Sequence, residues 1–291
     1  MRRFAIIAGG IGLVAALGLV ADATRISAQQ EAPAPGTNVD ALQGPLDRLL
    51  DMYVRDGFVY YRALKVDRAK LDRYVASLDV AQGTYDRWPR EQQLAFWVNA
   101  YNAFVMQTVV DHYPIHGRAA EYPANSIRQI AGAFEKLPHR VLGKTMTLDE
   151  IEKGMASFKE PQALLALGRG SIGGGRLHSE AYTSQRLTDQ LKAVAAECVQ
   201  RKECVQIETS TGTLSVSPLF SWREAIFVDT LGGNEMKDYP GRSPIERAVL
   251  RLIEPYLLPT EQEFLKQNTF KVAYHKYDWR LNDLTGGLPD R

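Results

Sequence analysis

The chain has 291 residues, 45% of them hydrophobic and 24% charged, and its 35 basic and 34 acidic side chains leave a formal charge of +1. This is a globular composition, long enough for one large domain or two small ones. The charges are mixed along the chain, with no basic stripe for nucleic-acid phosphates and no polybasic patch for an anionic membrane, so no nucleic-acid partner is expected.

Arg2 and Arg3 precede an uncharged run from Phe4 to Ala21, and small residues follow at Ala23 and Ala28. That order predicts a signal peptide over 1–28, cleaved after Ala23 or Ala28; the competing reading is an uncleaved anchor, because the run is close to the shortest membrane span. Residues 29–40, rich in Pro, Ala and polar side chains, read as a linker, and one globular domain is expected over 41–291. The mature protein is expected in the periplasm or secreted, with no membrane span after signal cleavage.

Leu42, Leu46, Leu49, Leu50 and Tyr53 recur at helical spacing, Asp56-Gly57 turns the chain into an apolar FVYY strand, and a second helix follows from Asp67. Pro89 suits the first turn of the next helix. Its segment from Leu94 to Val110 is apolar on every side, which places it in a core or in a bilayer. It is short for a span of about 20 residues, and Asn99 and Asn102 would each cost roughly 2 to 7 kcal/mol as unpartnered amides in lipid. A protein core is the expected setting. The two asparagines share a helix face and are read either as a structural clamp or as part of a site.

Beyond Pro114 the chain is irregular, with short helical potential near Ser126. HRVLGKTMTL reads as a hairpin turning at Gly143-Lys144, and Thr147 with Glu150 as a capping box opening a helix. Ala163–Leu167 is a short apolar strand candidate running into the glycine-rich stretch GRGSIGGGR. A helix follows over about 186–199, then a hairpin in CVQIETSTGTLSV and a helix after Ser217-Pro218. Ser243 with Glu246, and Thr260 with Glu263, predict two further capping boxes, and FKVAYHKYDW is the last strand. Helices mixed with hairpins, without regular strand-helix alternation, predict an α+β fold: a single domain with a central buried helix packed against a small, mostly antiparallel sheet.

Cys198 and Cys204 flank a charged turn, and an oxidising compartment favours a disulfide between them; two free buried thiols are the alternative. Gly168 to Gly173 satisfies G-x-G-x-x-G in form, but the stretch from His178 to Ser184 is too polar to be the packed helix that a dinucleotide site requires, and no cofactor is expected. The five histidines lack metal-ligand spacing; Pro114 separates His112 from His116, so no metal is expected. His275, Tyr277, Asp278 and Trp279 crowd the end of the last strand, where Asp278 is either a fold-closing anchor or part of a site.

FWVNAYNA (Phe96 to Ala103), LDEIE (Leu148 to Glu152), Ala166 with its glycine loop, SEAYTSQRL, LSVSPLFSW (Leu214 to Trp222) and YDWRLN (Tyr277 to Asn282) together resemble the bacterial and plant proteins called domain of unknown function 547. The resemblance spans almost the whole mature chain and implies a general fold similar to papain- and transglutaminase-like cysteine enzymes, without a defined activity. Where that family reads approximately R-I-H-F-A-L-N-C-G-A-x-S-C-P-P-L, this chain has Leu164 at the histidine position and Arg169 and Gly174 at the cysteine positions. A thiolate–imidazole route through these positions is therefore closed to this chain, and the loop is expected to be unusually free because Gly173, Gly174 and Gly175 lack side chains.

Two functions follow. One is a non-catalytic member binding a ligand or a cell-envelope protein in a cleft between the central helix, the glycine loop and the YDW strand, with Asn99, Asn102, Arg169, His178, His275, Asp278 and Trp279 as candidate binding residues. The other is a hydrolase or acyl-transfer enzyme in which His178 or His275 is the base, Asp278 orients it, an asparagine binds the oxyanion and Ser171 or Ser179 is the nucleophile.

Overall fold

The computed structural model describes residues 39–232 and 238–285. The leader expected over 1–28 and nearly all of the linker expected over 29–40 lie outside these residues. Helix α1 (Val39–Tyr53) begins within the expected linker, where the Asp40 carboxylate accepts from the Ser184 amide and hydroxyl at 3.1 and 2.9 Å. Leu46, Leu49, Leu50 and Tyr53 are buried along one stripe of α1.

Asp56 and Gly57 both take positive φ, 50° and 84°, as a tight two-residue turn demands, and join β1 (Val54–Arg55) to β2 (Phe58–Val59). The FVYY strand stops there because Tyr61 opens α2 (Tyr61–Val66). Helices α3 (Ala69–Ser77) and α4 (Gln82–Tyr85) lead to α5 (Arg90–His112), capped by Pro89. Nearly the whole middle of α5 is buried on all sides, as its composition requires. Its principal neighbours are the helices α1, α2, α3 and α6 (Leu148–Gly154) and not the small sheet that the sequence predicts beside it.

Strands β3 (His139–Val141) and β4 (Lys144–Met146) pair antiparallel around Leu142-Gly143, both at positive φ. Thr147 and Glu150 form the expected capping box on α6. The strand candidate at Ala163 is instead the short helix α7 (Gln162–Leu165); a brief apolar run does not distinguish strand from helix by periodicity. After it come α8 (Leu187–Gln200), β5 (Val205–Glu208), β6 (Thr213–Val216), α9 (Leu219–Trp222), α10 (Glu224–Leu231), α11 (Pro244–Ile253), α12 (Pro259–Gln267) and β7 (Lys271–Tyr274). Ser243 and Glu246 cap α11 as expected. Helix α12 starts ahead of the predicted Thr260 box: Pro259 takes the first turn and Glu261 accepts from the Leu258 amide at 2.9 Å.

The largest sheet has the order β5-β6-β7, with β5-β6 antiparallel and β6-β7 parallel. A disulfide joins Cys198 at the end of α8 to Cys204 just before β5. The last described residues return to the first hairpin. The Val59 amide donates to the Asn282 carbonyl at 2.8 Å and the Leu284 amide to the Val59 carbonyl at 3.0 Å. Tyr61 and Tyr113 donate to Asn282 and Asp283 side chains at 2.9 and 2.8 Å. The domain is thus α+β, and among the described residues no helix is long and apolar enough to cross a membrane.

Candidate ligand-binding cleft

Both α5 asparagines act as backbone mimics. Asn102 donates to the Ala166 carbonyl at 3.0 Å and accepts from the Gly168 amide at 2.9 Å. Asn99 treats Tyr182 the same way, at 2.8 and 2.9 Å. Each side-chain amide pairs its donor end with a backbone carbonyl and its acceptor end with a backbone N–H, so α5 grips the segment 166–182 at both ends.

Between those grips the glycine loop is crowded, which corrects the expected freedom. A Cβ on Gly175 would lie 1.9 Å from the Leu165 carbonyl oxygen, one on Gly174 2.3 Å from the Gly168 oxygen, and one on Gly173 2.9 Å from the Asp278 nitrogen. The Ile172 and Gly173 amides donate to the carbonyls of Arg280 and Asp278 at 2.9 Å each. Arg201, which lies inside the disulfide loop, donates to the carbonyls of Gly174 and Ile172 at 3.0 and 2.7 Å. The glycines are there because neighbouring backbone leaves no room for side chains.

Arg169, expected on a mobile loop, is only 2% exposed. Its guanidinium donates to Glu152 at 2.7 Å and to the Leu164 and Leu167 carbonyls at 3.2 and 3.3 Å. Burial works against its charge, but Glu152 outweighs it and holds the group protonated. Glu152 comes from α6, one turn beyond Asp149, so the two carboxylates share a face. Arg223 donates to Asp149, and its Nε stands 3.1 Å from Glu152 Oε1, near enough for an ion pair but without hydrogen-bond alignment. Burial would raise the Asp149 carboxyl, yet hydrogen bonds from Lys153 and Arg223 prevail and hold it below its ordinary value. Tyr101 of α5 donates to Glu152 at 3.4 Å, and burial raises its phenol well above the usual range, so it stays neutral.

Asp149, Glu152, Arg169 and Arg223 line a cleft of about 350 Å3 together with Arg128, Phe134, Trp222 and Trp279. Trp222 and Trp279 stack at 5.7 Å with 14° between planes, and Tyr277 packs on both. The Tyr277 hydroxyl lies 2.9 Å from Ser171 Oγ. Of the sequence candidates, Arg169 and Trp279 meet in this cleft.

The others lie apart from it in their bonding. Asn99 and Asn102 are spent on backbone. His178 Nε2 lies 2.9 Å from Glu197 Oε2, and His275 Nε2 lies 2.9 Å from the Glu203 carbonyl. Asp278 is chelated by Arg280, whose Nε donates at 3.0 and 3.1 Å, and this hydrogen bonding lowers its carboxyl. Among the described residues no group of His, Cys, Asp or Glu has the arrangement of a metal site. Asp149, Glu152, Trp222 and Arg223 also line the cleft and are not among the sequence candidates. Three of them stand inside the family-like stretches LDEIE and LSVSPLFSW, where paired carboxylates one helical turn apart were a usable signal.

Residues 85–199 match the family described as Protein of unknown function, DUF547. This stretch belongs to DUF547. No curated protein and no solved structure matches the chain. The DUF547 stretch, which contains α5 to α7 and most of α8, supplies the floor of the cleft through Asp149, Glu152 and Arg169, whereas Trp222, Arg223 and Trp279 come from chain beyond it. At the two positions where the resemblance implies cysteines, Arg169 is turned into the buried ion pair and Gly174 has no space for a side chain.

Proposed function

We propose that this protein is an exported, non-catalytic DUF547 member that binds a ligand, free or displayed on a cell-envelope protein, in the cleft between α6, the glycine loop and the Tyr277–Trp279 segment. The observation that carries the reading is that the cleft's charges are saturated by one another: Glu152 by Arg169 and Arg223, Asp149 by Arg223 and Lys153. A carboxylate held between cations is a poor general base, since accepting a proton would break its pairs. Groups fixed in charged form remain strong hydrogen-bond partners for a bound molecule. The leader-like order of residues 1–28 and the Cys198–Cys204 bridge favour a periplasmic or secreted location.

A small-fragment soak of crystals tests the reading. Fragments should collect against Trp222 and Trp279, and Arg223→Ala should remove them; fragments that settle only elsewhere overturn it. The enzyme alternative draws on two contacts, Ser171 Oγ to Tyr277 and His178 to Glu197, each at 2.9 Å. Turnover of an ester or amide-transfer probe that disappears in Ser171→Ala or His178→Ala would replace the binding reading with that one.

A further inference from the structure

We infer that the cleft takes a neutral carbohydrate, with a sugar ring lying on Trp222 and its hydroxyls set between the paired charges of the floor; the inference rests on the binding reading above. Trp222 is 38% exposed, a large flat apolar surface left open beside charged groups. Trp279 is already occupied: Trp222 stacks on it, and the Arg128 guanidinium stands 4.7 Å over its ring and 4.5 Å over that of Phe134. The open end of this aromatic stack is therefore Trp222.

The chemistry of the lining narrows the ligand. Arg128, Arg169 and Arg223 are matched by Glu135, Asp149 and Glu152, so neither an anion nor a cation meets an uncompensated field. An ammonium ligand would seek an aromatic cage, but Arg128 fills the one between Phe134 and Trp279. Extended peptides dock by adding to a strand edge, and no strand residue lines this cleft. A pyranose fits what is left. Its C–H face is apolar and flat enough to cover an indole. Each of its hydroxyls both donates and accepts, which suits a floor that alternates carboxylate acceptors with guanidinium donors. A cleft of about 350 Å3 is at the small end of ligand pockets, the size class of a short oligosaccharide and not of a long polymer groove.

The test is calorimetry and tryptophan fluorescence on the disulfide-bonded protein with a panel of neutral trisaccharides, α- and β-linked, with and without N-acetyl groups. At least one should bind saturably at millimolar concentration or below. Trp222→Ala should weaken it by at least about tenfold, as loss of a central aromatic anchor does, in a protein that still unfolds in one cooperative transition. Tyr60→Ala, another exposed aromatic change, should leave binding as it was. Saccharide binding that survives Trp222→Ala overturns the inference. If the panel fails while fragments still collect at Trp222, the carbohydrate assignment falls and the cleft remains a binding site; if neither binds, both fall together.

Discussion

The segment from Leu164 to Tyr182 is held in two places by two kinds of chemistry. On α5, the Asn99 and Asn102 amides meet peptide groups donor to acceptor, in a dry interior, with both ends of each amide satisfied. On α6, Glu152 meets the Arg169 guanidinium at the edge of an open cleft. The first arrangement loses little by being buried, because neutral groups exchange water for protein partners almost evenly. Burying the ion pair is expensive, and apolar residues of similar size would often stabilise a fold as well or better. The pair is kept all the same, with both side chains lining the cleft of the proposed ligand.

The largest expected effect comes from breaking the ionic side. Arg169→Ala strands a buried carboxylate and should cost about 3 to 5 kcal/mol, read from the midpoint of urea unfolding. This reverses the expectation for a free loop. The sharper version is the double change Arg169→Met with Glu152→Leu, which should recover most of that stability while binding stays lost; a double variant as unstable as the single one would mean that the pair is structural after all.

A second separation is by pH. His139, stacked on Phe104 of α5 at 4.6 Å and without a partner for Nε2, is pushed down to about 4 by burial, against the opposing charge of Asp111. Between its ordinary value of about 6.5 and about 4 the unfolded chain takes up a proton that the folded chain does not. Stability should therefore fall as pH drops through that window, by about 3 kcal/mol in total. The lowered Asp149 carboxyl works in a different range: its contribution is present above the ordinary carboxylate value and is lost only as pH falls below it. Unfolding curves at stepped pH should show His139→Phe flattening the upper step alone, and Asp149→Asn the lower.

Third in size, Asn99→Ala and Asn102→Ala should each cost about 1 to 3 kcal/mol through the stranded peptide groups, with no dependence on salt. A melting temperature within a degree of wild type for either would show that water replaces the amide and that the interior is not dry. Comparable in size is the loss of the Cys198–Cys204 bridge, about 2 kcal/mol for so short a loop. Cys198→Ser with Cys204→Ser should show it in the same unfolding assay.

What the sequence revealed were mainly features decided within a few residues of themselves. The central helix followed from its apolar surround, the caps of α6 and α11 from Ser or Thr with a glutamate three residues on, and the disulfide from two cysteines about a turn. The Thr260 box failed at the same scale, since Pro259 and Glu261 make a competing start. Other features depended on distant chain. Three glycines in a row read as freedom, yet their meaning lay in the carbonyls of Leu165 and Gly168 and in Asp278 pressed against them. Arg169 and Trp279 could be picked as candidates, but the charges that define the cleft pair residues as far apart as Asp149 and Arg223, and no spacing rule relates those two positions.

The return of Asn282, Asp283 and Leu284 to the hairpin at Val59 has a bearing on how the molecule is made. The earliest part of the domain to leave a ribosome is completed by one of the latest, so the hairpin, Tyr61 and Tyr113 wait for partners that have not yet been synthesised. Until then the chain can collapse but cannot close, because the contact that seals it joins positions far apart in sequence.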